Sequence, residues 1–272
     1  MTLGELQRLD SVQAAQWTHS EAQLVFSELL GWSLTEQILK ADEPISDDIC
    51  DRVVDIAKRS VSGEPLAYIL GVTYFDGLRL GVTPDVLIPR PDTEVLVDVA
   101  SQLIAEHSLQ TIHDLCTGSG AVALALKHRH AACAISASDI SKTAIVCASD
   151  NAQLLNLPIA CHEADLFNGL ESFDLVTANP PYIANDDAEI DASVRAFEPS
   201  LALFAEQKGL AVIIDILTTA KQHINPNGYL CLEHGHRQAH DIQTLATDLG
   251  WQRISTHQDL AGRDRVTWMQ MP

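Results

Sequence analysis

Residues 111–129 read TIHDLCTGSGAVALALKHR. An apolar stretch containing β-branched Thr111 and Ile112 runs into a glycine turn, and the turn runs into a series of helix formers. Gly118-x-Gly120-x-x-Ala123 is the pattern of a tight strand-to-helix turn, in which a small third residue lets the helix pack closely. Such a turn brings a ligand's polar atoms up to backbone N–H groups at a helix start.

The same alternation continues downstream. Strands are expected at AISAS (134–138), ACHEA (160–164), DLVTA (174–178) and YLCLE (229–233). Helices are expected at AVALALKHR (121–129), SKTAIVCASDNAQLL (141–155), GLAVIIDILTTAKQHI (209–224) and RQAHDIQTLATDLG (237–250). Strand and helix in turn imply a mostly parallel, doubly wound α/β sheet of Rossmann-like type. The last segments, WQRISTHQDL (251–260) and DRVTWMQM (264–271), meet at a Gly262-containing turn with no helix between them. They predict an antiparallel C-terminal hairpin closing the sheet.

Upstream the pattern is different. In residues 1–62, Ser20-Glu21-Ala22-Gln23 has capping-box form, Leu24, Val25, Leu29 and Leu30 follow at helical spacing, and Gly31 is placed to end the helix. ISDDICDRVVDIAKRS (45–60) sets Ile45, Ile49, Val53 and Ala57 on one face, with Ser46 as cap. A small helical domain over 1–62 is expected. Residues 63–90 carry β-branched and aromatic runs, LAYILGVTYF, LRLGV and VLIP, broken by Asp76-Gly77. They predict a β-hairpin linker, after which Pro91 starts a helix in a third segment, 91–272.

Composition narrows the function. The chain has 272 residues and a net charge of −20, from 37 acidic and 17 basic side chains. Binding to nucleic acid draws on Lys and Arg contacts to phosphates, so this balance argues against a duplex and fits a basic protein partner. Six cysteines (50, 116, 133, 147, 161, 231) are scattered without a C-x-x-C pair, and the clusters HRH (128–130) and HGH (234–236) lack the paired spacing of a zinc site. No metal site is expected. No apolar run reaches the ~20 residues that cross a bilayer, and MTLGELQRLD has no basic-then-apolar leader pattern. The chain reads as soluble and cytoplasmic.

The glycine loop has a companion in Asp139, which ends the next strand about twenty residues past Gly120, where a carboxylate accepts hydrogen bonds from ribose hydroxyls. Loop and acid together indicate an adenosine-containing cofactor. Nicotinamide and S-adenosylmethionine (SAM) sites both use this architecture. Asp114 before the loop, suited to an ammonium group, and the terminal hairpin lean towards SAM.

TANPPYI (177–183) ends the fourth strand with two prolines, which donate nothing to a sheet ladder. Ligands of doubly wound sheets sit beyond the carboxyl ends of the strands, so Asn179-Pro180-Pro181-Tyr182 lines that crevice. Asn179 offers a side-chain carbonyl and Pro180 a backbone carbonyl, which together hold both hydrogens of a planar –NH2 group. Tyr182 offers a ring to stack on the group that carries it. An amide nitrogen is a poor nucleophile. Alignment and stabilisation of positive charge growing on it lower the barrier without a general base. Glu233-His234 therefore reads as a strand-end pair satisfied by neighbouring backbone.

An NPPY motif after such a loop resembles amino-methyltransferases acting on planar nitrogens. GEPLAYILG (63–71), Phe75, LIPRPDTEVLVD (87–98), and the LEHG and GRDRV stretches (232–235 and 262–266) narrow the resemblance to the release factor glutamine methyltransferase family, along nearly the whole chain. The resemblance implies a SAM-dependent enzyme that methylates the side-chain nitrogen of the GGQ glutamine in peptide chain release factors. It implies SAM contacts from Cys116, Thr117, Gly118, Ser119, Gly120 and Asp139, with Asp165 and Leu166 near the adenine and Asn179 bridging to the substrate. Asn179, Pro180, Pro181 and Tyr182 would hold the glutamine, while Arg90 and Thr93 shape the pocket from the linker side. Three departures stand out. Cys116 replaces a frequent glycine, Leu166 replaces an aromatic found in some relatives, and FEPSLALFAEQKGL (197–210) lacks a glycine-rich continuation. A glutamine methyltransferase of a ribosomal protein and a non-catalytic SAM-binding regulator are the alternative readings.

Overall fold

The computed structural model describes all residues, 1–272. The chain divides into two compact units, Met1–Val72 and Thr73–Pro272, and the division falls inside the stretch expected to be a linker.

The first unit is helical. Ser46 caps the helix Asp47–Val61 by accepting from the Ile49 amide, with acids in the first turn and Lys58 and Arg59 in the last, as the helix dipole favours. Its Cys50, Val53, Ile56 and Ala57 are buried against Leu3, Leu6, Val25 and Phe26. Gly31 ends the helix His19–Leu30 in the left-handed conformation, as expected, but the cap is Thr18 rather than Ser20. Thr18-x-x-Glu21 competes for the same helix start, and the Glu21 carboxylate takes the Thr18 amide at 2.7 Å, a stronger acceptor than the Gln23 amide of the alternative box.

LAYIL, expected to be strand, is the short helix Leu66–Leu70 ended by left-handed Gly71. Its Leu66, Ile69 and Leu70 lie against the helical core, and this burial overrides their strand propensity. The hairpin forms where it was expected: β1 (Val72–Phe75) and β2 (Leu78–Gly81) join through Asp76 and Gly77, both at positive φ, the two-residue turn that suits strand twist. VLIP forms no strand. Pro84, Pro89 and Pro91 remove donors on both sides, and the Ile88 amide turns instead to the Glu198 carboxylate.

Seven strands form the main sheet: β3 (Thr111–Leu115), β4 (Ala134–Asp139), β5 (Ala160–Glu163), β6 (Phe173–Ala178), β9 (Ile224–Glu233), β10 (Gln252–Gln258) and β11 (Asp264–Gln270). Their order is β10-β11-β9-β6-β3-β4-β5. The five strands from β9 to β5 are parallel, and β11 pairs antiparallel with both β9 and β10, which closes the sheet with the hairpin the sequence predicts. Two short strands outside the sheet, β7 (Ile183–Ala184) and β8 (Phe204–Ala205), pair in parallel.

Each face of the sheet has its own core. Helices Glu94–His107 and Ala121–Arg129 bury Leu96, Val97, Leu103 and Leu124 on one side. Helices Ala211–Thr219 and Ala239–Asp248 bury Ile213, Ile216, Leu217 and Ile242 on the other. Each of these side chains contributes about 1.5–3 kcal/mol through removal from water. From β3 the chain builds outward through β4 and β5, then returns to place β6 on the opposite side of β3. That reversal opens a crevice at the carboxyl ends of β3 and β6, where doubly wound sheets bind ligands.

Candidate active site

The crevice begins with a pair of residues set opposite each other by strand register. Asp114 of β3 lies across from Thr177 of β6. The carboxylate accepts the Thr177 hydroxyl at 2.7 Å and the Thr117 hydroxyl at 2.6 Å. It is buried, and burial pushes its pKa up to about 6 against the pull of these two bonds. Asp114 thus holds the loop and the NPPY strand from beneath.

The glycines of the loop do separate work. Gly118 sits at φ +55°, and a Cβ there would meet no protein atom within 4 Å. Its open side forms a cradle with room for a ligand's atoms to approach the backbone. Gly120, at φ +83°, would place a Cβ 3.1 Å from the Cβ of Ala148, so it secures packing against the helix Lys142–Leu155. Cys116 also adopts positive φ, as does Leu166, a conformation costly for residues with a Cβ. Burial and the neighbouring Asp139, Asp114 and Asp165 raise the Cys116 thiol pKa. The thiol stays protonated.

Asp139 ends β4 with one carboxylate oxygen on the Gly118 amide at 2.9 Å and the other on the Ser141 amide at 2.9 Å. Burial raises its pKa, against the pull of those amides. Thr117, Gly118, Ser119, Asp139, Asp165 and Leu166 all line one cavity of about 380 Å³ with Cys116, Asn179 and Pro181. Gly120 lies behind its wall.

The charge of that cavity decides between the two cofactor classes. Asp85, Asp114, Asp139, Asp165 and Asp215 line it, and no Lys or Arg does. A pyrophosphate among these carboxylates would meet repulsion with no cation to offset it, whereas a sulfonium and an ammonium meet attraction. The open Gly118 cradle and the acidic lining both fit SAM.

The NPPY residues divide. Asn179 and Pro181 face the cavity. Pro180 is buried and Tyr182 half-buried. The Tyr182 hydroxyl donates to Glu233 Oε1 at 3.1 Å. Asn179 Nδ2 donates to Thr93 Oγ1 at 3.2 Å, which leaves its Oδ1 free of that bond.

Several residues that sequence reasoning passed over hold these pieces in place. Asn151, buried in the helix Lys142–Leu155, donates to the Ser119 carbonyl at 2.9 Å and exchanges two bonds with the Gly81 backbone, tying hairpin to loop. Glu198 pairs with Arg90 at 2.5 Å. Its carboxylate is buried, so this is an anchor between the two segments that flank the cavity, not a surface salt bridge. Gln238 donates to the carbonyls of Tyr182 (3.0 Å) and Lys208 (3.2 Å) and accepts from the Gly235 amide. His234 is satisfied as expected, by the Gly235 carbonyl and Thr267. Glu233 is not: its partners are side chains. Little in the local sequence distinguishes these residues, because the partners that tie segments together, Gly81 and Ser119 for Asn151, Arg90 for Glu198 and Tyr182 for Gln238, lie far away along the chain.

Fold, loop, acid and motif together define a SAM-dependent methyltransferase. The chain matches the methyltransferase small domain over residues 93–209 and the PrmC N-terminal domain over residues 10–71. It is 35% identical over 280 residues to the release factor glutamine methyltransferase of Burkholderia pseudomallei, covering 100% of this chain and 96% of that protein. To the enzyme of the same name from Vibrio cholerae it is 41% identical over 217 residues, covering 77% and 74%. The chain belongs to the release factor glutamine methyltransferase family. Solved structures with the same fold include ribosomal protein L11 methylase from Lactobacillus delbrueckii subsp. bulgaricus, with a TM-score of 0.52 at 21% identity over 70% of this chain and 84% of that one. Another is the catalytic domain of hMettl16, with a TM-score of 0.55 at 14% identity over 83% and 82%.

Proposed function

We propose that this protein transfers a methyl group from SAM to the side-chain amide nitrogen of the GGQ glutamine in peptide chain release factors. The observation that carries the reading is the Asn179 amide, turned with Nδ2 on Thr93 at the mouth of an acid-lined cavity in a chain of this family.

SAM, when bound, supplies an electrophilic methyl on a positively charged sulfur. Thr117, Gly118 and Ser119 offer the loop for its polar atoms, Asp139 offers carboxylate oxygens to ribose, and Ile140, Asp165 and Leu166 bound the adenine end. Asn179 Oδ1 and the Pro180 carbonyl each accept one N–H of the substrate amide. The two bonds fix the nitrogen's direction of approach and stabilise positive charge as it grows there. Proton loss follows to solvent. Glu233 lies behind Tyr182 and Thr93, so it acts on the motif rather than on the substrate. The Tyr182 ring stands outside the cavity lining, and its hydroxyl bond to Glu233 anchors the motif from behind.

The helical region, residues 1–62, contacts the release factor at a surface away from the GGQ glutamine. Because release factors work on ribosomes, the enzyme acts in the cytoplasm. No helix is long and apolar enough to cross a membrane.

The test is peptide mass spectrometry of purified release factor incubated with the protein and SAM. One added methyl on the GGQ glutamine, absent with Asn179→Ala, is the expected result. An unmodified glutamine despite measurable SAM binding would overturn the reading.

A further inference from the structure

The tetrapeptide Asn179-Pro180-Pro181-Tyr182 cannot anchor its own middle. Pro180 and Pro181 have no N–H to donate, and their φ angles are locked. The direction of the Pro180 carbonyl, which the proposed reaction uses, is therefore set by what holds the two ends. Strand β6 holds the first end, up to Ala178. The second end is Tyr182, whose backbone carbonyl accepts from Gln238 Nε2 at 3.0 Å.

We propose that Gln238 is the positioning residue that fixes the far end of the NPPY motif and, through the two rigid prolines, aims the Pro180 carbonyl at the substrate amide. The inference rests on the function proposed above. Both polar atoms of the Gln238 amide are engaged in one arrangement. Oε1 accepts from the Gly235 amide at 2.9 Å, and Nε2 donates to the carbonyls of Tyr182 and, at 3.2 Å, of Lys208. Turned over, the amide would set N–H against N–H and oxygen against two carbonyls, so its partners fix its direction.

The surroundings are built around this amide. Gln238 is the N-cap residue of the helix Ala239–Asp248, a place where Ser, Thr, Asp or Asn would bond the helix's own first turn, yet its side chain makes no cap bond. It reaches instead to carbonyls 56 and 30 residues away. The Lys208 carbonyl meets it within a turn in which Gln207, Lys208 and Gly209 are all left-handed, at φ 54°, 59° and 84°. That turn is costly for the two residues that carry a Cβ. Two glycines make the room. A Cβ on Gly209 would run into the Tyr182 carbonyl and come within 2.9 Å of Gln238 Nε2, and one on Gly235 would lie 3.1 Å from Gln238 Oε1. Beyond Tyr182 the chain passes directly into the pairing of β7 with β8, which holds the same end from its other side. A forgone cap, a strained turn and two glycines serve one side-chain amide.

Gln238→Met keeps the length of the side chain and removes its hydrogen bonds. The expected result is a kcat about 10- to 100-fold lower, the scale of a misplaced reacting group, with SAM affinity and the KM for release factor changed less than about 3-fold. Gln238→Glu keeps an acceptor for Gly235 but turns an ionised carboxylate on two carbonyls, so its kcat should fall at least as far. A general loosening of the fold would weaken SAM binding along with turnover. A second readout needs no activity. The chain holds two Tyr-Ile pairs, 68–69 and 182–183. With 13C-carbonyl tyrosine and 15N isoleucine, each pair gives one correlation in a spectrum of directly bonded carbonyl and nitrogen. In Gln238→Met the Tyr182 carbonyl should move and the Tyr68 carbonyl should not. Wild-type kcat in Gln238→Met, an unmoved Tyr182 carbonyl, or equal losses of kcat and SAM affinity would overturn the inference. If wild type leaves the glutamine unmodified while the Tyr182 carbonyl moves in the variant, the proposed substrate fails and the positioning of the motif stands.

Discussion

The Tyr182 hydroxyl donates to Glu233 Oε1 at 3.1 Å, across the gap between β6's trailing loop and the end of β9. The last residue of the NPPY motif is therefore an anchor as much as a surface. Burial and the adjacent carboxylate raise the pKa of its phenol, so it remains a donor at any working pH. Tyr182→Phe keeps the ring and removes the bond, leaving a buried carboxylate short of one partner. A loss of about 1.5–3 kcal/mol is expected in urea denaturation, with SAM affinity unchanged. Stability equal to wild type would show that the bond does not anchor the motif.

Two glycines should respond to alanine in opposite ways. A Cβ on Gly209 would lie 2.0 Å from the Tyr182 carbonyl oxygen, at φ +84°. Gly209→Ala must displace the motif, with an expected cost of about 2–4 kcal/mol from overpacking and backbone strain. Gly118→Ala meets no protein atom, so it should cost only about 1–2 kcal/mol yet weaken SAM binding at least about tenfold by filling the cradle. Calorimetry with SAM, alongside denaturation, separates the two, and a reversed pattern would contradict the division of labour described for this loop.

Asp139 holds the loop and, in the proposed function, the ribose of SAM. Its oxygens hold the Gly118 and Ser141 amides at 2.9 Å each. Asp139→Ala removes a charged acceptor, and each such bond contributes about 1.5–3 kcal/mol. SAM affinity should fall roughly 10- to 100-fold by that arithmetic, while the KM for release factor at saturating SAM changes little. A variant that binds SAM normally would remove Asp139 from the cofactor site.

His113 gives a pH signature of the fold. It is fully buried in β3 between the hydroxyls of Ser136 and Ser138 and stacks on Phe173. Burial, helped by His162 and His223, depresses its pKa to about 3. The unfolded chain takes up a proton near pH 6.5 that the folded chain refuses. The stabilisation is therefore complete above pH 6.5 and is lost as pH falls from there towards 3. Over that window wild-type stability should fall more steeply than that of His113→Gln, by about 1.4 kcal/mol per pH unit. Parallel slopes in urea denaturation at stepped pH would count against it.

What the sequence by itself determined was local. Gly118 and Gly120 announce a tight turn, Asp76-Gly77 a hairpin and Ser46 a cap, because each rests on the φ preference or side-chain reach of neighbouring residues. Strand and helix periodicity supplied the doubly wound order, and proline chemistry marked NPPY as a strand end.

The tertiary structure decided which of those pieces meet. It set β6 beside β3, so that Asp114 and Thr177 face each other in register. It turned LAYIL into a helix through burial. It also brought Thr93 to Asn179, Arg90 to Glu198 and Tyr182 to Glu233. Those partners are polar groups far apart along the chain, and nothing in a local pattern of apolar and polar residues says which buried carboxylate a distant hydroxyl will reach. Only the packing of strands and helices into one low-dielectric crevice makes that choice, because there each polar group must find a partner or cost the fold its stability.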